Sequence, residues 1–168
     1  MKKLLLTILT LVAVSGSISN AQAVSGNCFY FGGRLETSDQ PGKHELYATY
    51  GTAFRLASLG NHTSLWNFSS LDAGKYGAVS NDIGLAVGLT TKFGVGLLAG
   101  PNVDWITNIP TGGDAPTVYL ATAVGGFVTY DFTDRFGVWG MTKYKFSAET
   151  GNLYPSGSVA GLGLLVRF

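Results

Sequence analysis

The sequence predicts an all-β fold, an eight-stranded antiparallel up-and-down transmembrane β-barrel preceded by a cleaved signal peptide. Three observations predict it. Bulky apolar residues recur at every second position through most of the chain, and a period of two belongs to strands. The positions between them are small or charged, with 24 glycines in 168 residues and 12% charged side chains, about half the fraction usual in soluble domains. Beyond the N-terminal leader, no apolar run approaches the roughly 20 residues that a membrane-spanning helix needs.

The leader is recognised by its own pattern. Met1-Lys2-Lys3 is a short positive region, Leu4 to Val14 is an apolar stretch too short to cross a bilayer, and Ala21-Gln22-Ala23 is the small-x-small site that a signal peptidase cuts. Residues 1–23 are therefore expected to be a signal peptide and residues 24–168 the barrel, since about 145 residues make one domain and not two. Net charge is +1 with no basic patch or stripe, so nucleic acid is not an expected partner. Cys28 is the single cysteine and can build neither an intramolecular disulfide nor a thiolate zinc cluster. Asn27 directly before it departs from the small residue that lipid attachment wants there.

In chain order, Phe29, Phe31 and Leu35 oppose Tyr30, Gly32, Arg34 and Glu36, and then Leu46, Ala48, Tyr50, Phe54 and Leu56 oppose Glu45, Thr49, Gly51 and Arg55. The stretch from Thr63 to Leu71 is poorly patterned and is assigned a strand because a barrel of this kind needs an even count. Ile83, Leu85, Val87 and Leu89 oppose Asp82, Gly84, Ala86 and Gly88. Phe93, Val95, Leu97, Val103 and Trp105 oppose Gly94, Gly96, Gly100, Asn102 and Asp104, with Pro101 an awkward ladder residue on the apolar face. Leu120, Val124, Val128, Tyr130 and Phe132 oppose Ala121, Ala123, Gly125, Thr129 and Asp131. Phe136, Val138, Tyr144 and Phe146 oppose Arg135, Gly137, Lys143 and Lys145, a face that Trp139 and Met141 join. Leu162, Leu164, Val166 and Phe168 oppose Gly161, Gly163, Leu165 and Arg167. Short turns near 57–62, 91–93 and 133–135 alternate with longer polar loops near 38–43, 70–80, 107–117 and 148–157, as they do when one rim faces the periplasm and the other the outside.

Which face meets which solvent decides the class. The small-residue face carries Arg34, Glu36, Glu45, Arg55, Asp82, Asp104, Asp131, Arg135, Lys143, Lys145 and Arg167. Their signs nearly balance, so they can pair in a polar lumen, whereas against lipid a charge costs about 2–4 kcal/mol at the midplane. Eight strands leave an interior just wide enough for side chains, so the lumen is expected to be filled and a wide pore is disfavoured. Phe93, Trp105, Tyr130, Phe132, Phe136, Phe146 and Phe168 fall near strand ends on the apolar face and are expected to form aromatic girdles at the headgroup level.

The ending Gly163-Leu164-Leu165-Val166-Arg167-Phe168, with Leu164, Val166 and Phe168 alternating, resembles the signal by which the barrel assembly machinery recognises outer-membrane barrels. With the leader, the whole mature chain resembles the small eight-stranded bacterial outer-membrane barrels of the OmpA/OmpX type. The resemblance implies export through the periplasm and residence in the outer membrane of a Gram-negative bacterium. Its implied partners are outer-membrane lipid, lipopolysaccharide and the assembly machinery during biogenesis. It implies a monomer with no cofactor.

Two kinds of lipid A-modifying enzyme are built on barrels of this size. His62-Thr63-Ser64 has the histidine–serine spacing of a deacylase, but no glutamate follows until Glu149, and His62 falls at the periplasmic rim. His44 with Asp39 and Ser38 could be arranged as a palmitoyltransferase site, although short polar loops carry such residues by chance. Two distant histidines do not make a metal site. No catalytic residue and no metal ligand is assigned. The expected role is non-enzymatic, presenting short external loops for envelope integrity or surface interaction, with a lipid A-modifying enzyme and a narrow ion-conducting barrel as alternatives.

Overall fold

The computed structural model describes residues 26–38, 44–74, 77–106, 117–147 and 157–168. The predicted signal peptide and most of the loops predicted near 38–43, 107–117 and 148–157 lie outside them. Eight strands follow in order: β1 (Cys28–Ser38), β2 (His44–Ser58), β3 (Thr63–Ala73), β4 (Gly77–Gly88), β5 (Phe93–Ile106), β6 (Thr117–Asp131), β7 (Phe136–Ser147) and β8 (Gly157–Arg167). Each pairs antiparallel with the next, and β1 pairs with β8 from Cys28 opposite Arg167 to Ser38 opposite Gly157, so the sheet closes and leaves no edge.

The alternation read from the sequence sets the two surfaces of this wall. Leu46, Leu97, Leu120, Val124 and Leu162 project outwards and are exposed, while Arg34, Asp72, Asp82 and Lys143 are buried inside. That is the reverse of a water-soluble barrel, whose apolar face lies within.

The middle of β3 breaks the rule, which is why its sequence is poorly patterned. Trp66 is buried in the lumen with Phe68 packed against the same cluster, and the outward positions between and beside them are Asn67 and Ser69. The polar loop expected near 70–80 is mostly strand as well, since β3 runs to Ala73 and β4 begins at Gly77. Ser70, Asp72 and Ser80 had the composition of a loop because they face the lumen, where the Ser70 and Ser80 hydroxyls share a 2.6 Å hydrogen bond.

The filled lumen is layered, not uniformly polar. Towards the end closed by the short turns, Cys28, Ala53, Trp66, Ala86, Leu98 and Phe127 form an apolar plug, with Tyr30, Phe68 and Met141 against it. Phe68 lies 4.8 Å from Phe127 and Tyr30 lies 5.2 Å from Trp139, ring centre to ring centre. These rings fit because glycine stands beneath them on the neighbouring strand. A Cβ at Gly84 would come 2.6 Å from Phe68 Cε2, and one at Gly161 would come 2.9 Å from the Trp139 ring. Gly84→Val is therefore expected to force Phe68 aside and to destabilise the barrel by about 1–3 kcal/mol in urea unfolding. Gly33→Ala, where a Cβ meets nothing within 4 Å, should stay within about 0.5 kcal/mol of the parent.

Candidate functional site

Beyond the aromatic plug the lumen holds a connected set of ions. The Arg34 guanidinium donates to Asp72 and, at 2.9 Å, to Glu36; Glu36 also accepts from Lys145 at 2.7 Å, and Lys145 pairs in turn with Asp104. Thr49 Oγ1 donates to the second Asp72 oxygen at 2.6 Å, and the Arg34 cation lies 5.3 Å from the Tyr47 ring centre. The alternation of β1, β2, β3, β5 and β7 brings these residues together from five strands, so the cluster ties the far half of the wall across its own bore. Lys143 pairs with Asp82 at 2.6 Å nearer mid-height, and Arg167 with Asp131 at 2.9 Å by the short turns.

An interior cavity of about 40 Å³ lies among the plug residues and reaches the mid-height ion pair, bounded by Cys28, Tyr30, Phe127, Trp139, Asp82 and Lys143 among others. Among the described residues, no group of three His, Cys, Asp or Glu side chains is placed to hold a metal ion.

The structure sorts the eleven predicted lumen charges. Arg34, Glu36, Asp82, Asp104, Asp131, Lys143, Lys145 and Arg167 stand in the pairs just described, and Glu45 sits on β2 opposite Glu36. Arg55 and Arg135 do not join them. Arg55 is exposed where the β2–β3 register shifts between Arg55 and Ala57, and Arg135 is exposed in the turn of residues 132–135 before β7 begins. Arg55 is still paired in register opposite the buried Trp66, so it keeps the lumen-side position but stands near the short-turn end, where it is exposed; only at Arg135 has the ladder ended. Asp72, the principal partner of Arg34, was missed because it fell in the supposed loop. Its signal was available in the alternation Ser64, Trp66, Phe68, Ser70, Asp72, which continues the inward face of β3.

Of the predicted girdle, Tyr130, Phe136, Phe146 and Phe168 are exposed on the outer face, Phe132 is exposed in the turn after β6, and Phe93 is half-buried at the start of β5. Trp105 lies in β5, with its side chain outside the described ones. Phe29 and Phe54 extend the short-turn band, with Phe168 stacked on Phe29 at 4.7 Å and edge-on to Phe54 at 6.3 Å. Leu164 and Val166 face Phe31 and Phe29 across the β1–β8 seam, and the Phe168 amide donates to the Asn27 carbonyl at 2.9 Å.

The histidine–serine pair is not arranged for nucleophilic catalysis. Ser64 Oγ is buried in the lumen and accepts the Trp66 indole N–H at 2.7 Å, while His62 sits in the turn between β2 and β3 with Nδ1 unpartnered. His44 begins β2, but its side chain, that of Ser38 and all of Asp39 lie outside the described residues.

No protein-family model matches the chain, and no curated protein does. Among solved structures it is similar to the N-terminal β-barrel domain of Pseudomonas aeruginosa OprF, with a TM-score of 0.61 and 18% identity over 88% of this chain and 100% of that one. It also aligns with a de novo designed transmembrane β-barrel at a TM-score of 0.48 and 9% identity, over 88% of this chain and 99% of the other. The chain thus has the fold of the OprF N-terminal domain, eight antiparallel strands in up-and-down order closed by β1 on β8.

Proposed function

We propose that this chain is a small integral outer-membrane barrel of a Gram-negative bacterium with no catalytic role, exported through the periplasm behind its signal peptide. Its short-turn rim faces the periplasm, and the external loops, expected from the sequence near 38–43, 107–117 and 148–157, serve envelope integrity or surface interaction. One observation carries the reading: Arg34 is 0% exposed inside the wall, whereas Leu46 and Leu162 are 71% and 69% exposed outside it. Water would penalise that arrangement and hydrocarbon rewards it, because closed sheets satisfy their own backbone and charges are cheaper in the lumen. Lipid and lipopolysaccharide are the partners of the outer wall, and Leu164, Val166 and Phe168 are the residues offered to the assembly machinery.

The plug and the ion pairs occupy much of the described lumen, which speaks against the narrow-channel alternative. The purified protein in planar bilayers is expected to show no steady current above that of bare lipid; a stable open level would overturn the filled lumen. Fractionation should place the protein in the outer membrane with a gel mobility that changes on boiling. A soluble protein that migrates identically before and after boiling would overturn the membrane reading. Lipid A from cells with and without the gene should have the same acyl count; a changed count would restore the enzyme.

A further inference from the structure

The outer wall carries a polar site where apolar side chains are otherwise the rule. Asn67 Nδ2 donates to Asn81 Oδ1 at 2.7 Å, Asn81 Nδ2 donates to Ser69 Oγ at 3.2 Å, and Ser69 Oγ donates to Asn67 Oδ1 at 3.2 Å. The three side chains form a closed ring on adjacent strands, at least four residues from any end of β3 or β4. Thr52 on β2 stands opposite Ser69, and the pair floors a dent walled by Phe31, Tyr50, Leu71 and Val79. The sheet is interrupted at the same place. The ladder between β4 and β5 skips Asn81 and Asp82, which stand opposite Pro101 and Gly100 respectively, and Pro101 has no N–H to contribute.

Each amide spends one N–H in the ring and has a second that the ring does not use. Acyl chains offer nothing to those donors, and an unmatched polar group in hydrocarbon costs several kcal/mol. Headgroup phosphates lie at the membrane surfaces, away from mid-strand. The site is uncharged and holds amide donors and amide acceptors side by side, so a two-fold axis through it would set donors against acceptors on an identical patch. A second copy is therefore the occupant whose chemistry fits without further assumption.

We propose that the β2–β4 wall, centred on Asn67, Ser69 and Asn81, is a homodimer interface within the membrane, with amide hydrogen bonds crossing the two-fold axis and Tyr50, Leu71, Val79 and Ile83 packing around them. This replaces the monomer expected from the resemblance. It rests on the membrane reading above, and the two fail separately: failure to insert into bilayers refutes that reading, whereas insertion without association refutes this one alone.

The test is energy transfer between donor-labelled and acceptor-labelled full-length chains in phosphatidylcholine vesicles, over a range of protein-to-lipid ratios. The wild type is expected to associate reversibly, and Asn67→Leu/Asn81→Leu to weaken association at least tenfold while keeping the boiling-dependent gel mobility of a folded barrel. In a Cys28→Ala background, Ile83→Cys on this wall should cross-link under oxidation and Val124→Cys on the β6 wall should not. A wild type that stays monomeric at every ratio, a double variant that associates as well as the parent, or equal cross-linking from both walls would overturn the proposal.

Discussion

Arg34→Met is expected to destabilise the barrel by about 3–5 kcal/mol, the range for removing one partner of a buried ion pair. Arg34 and Asp72 are both fully buried, and Arg34 serves Asp72 and Glu36 at once. Without the guanidinium, Glu36 still has Lys145, but Asp72 is left with the Thr49 hydroxyl, which cannot neutralise it. Most of the loss is the cost of that stranded carboxylate and not the worth of the pair. The double variant Arg34→Met/Asp72→Leu should therefore recover a large part of the stability, since two apolar side chains replacing a buried pair are often neutral or better. Urea unfolding in vesicles, read by gel mobility, measures all three proteins. A single variant within about 0.5 kcal/mol of the parent would mean that water screens this end of the lumen far more than the side-chain packing allows.

The course of seven strands and the inward face of most of them were legible because one solvent acts on each side of the wall, so every second residue repeats the same choice. The closure of β1 on β8 was implied by the same logic, since an open edge is not tolerated in lipid. β3 was illegible for a physical reason. Phe68 is inside because Gly84 leaves room for its ring on the neighbouring strand, and that complementarity joins residues 16 positions apart, beyond any local pattern. Asn67 and Ser69 are outside because they hydrogen-bond to Asn81 on the next strand, again a relation that only register reveals. Loop composition and lumen composition are alike, which hid Ser70, Asp72 and Ser80 and with them the main anchor of Arg34. Arg135 shows the converse error, where the rhythm continues in sequence through a turn, while Arg55 keeps its lumen-side register opposite Trp66 but is exposed near the short-turn end.

The opposite face gives the second large effect, and it tests the solvent itself. Val124 lies mid-way along β6, exposed on the outer wall, with Ala99 and Tyr144 beside it on β5 and β7. Val124→Arg is expected to cost about 2–4 kcal/mol, because the guanidinium must be desolvated or the lipid deformed to reach it. The same substitution at Val128 should cost less, and at Phe132, in the turn after β6, about 0–1 kcal/mol, since water and headgroups reach that height. In aqueous surroundings all three would change stability by about 0.5 kcal/mol or less, and an apolar-to-arginine change on a wet wall could even improve solubility. The gradient is the informative quantity. A substitution that merely damaged packing would be indifferent to its distance from the rim, so a cost that falls steadily from Val124 to Phe132 can come only from a surrounding medium whose polarity rises along the strand.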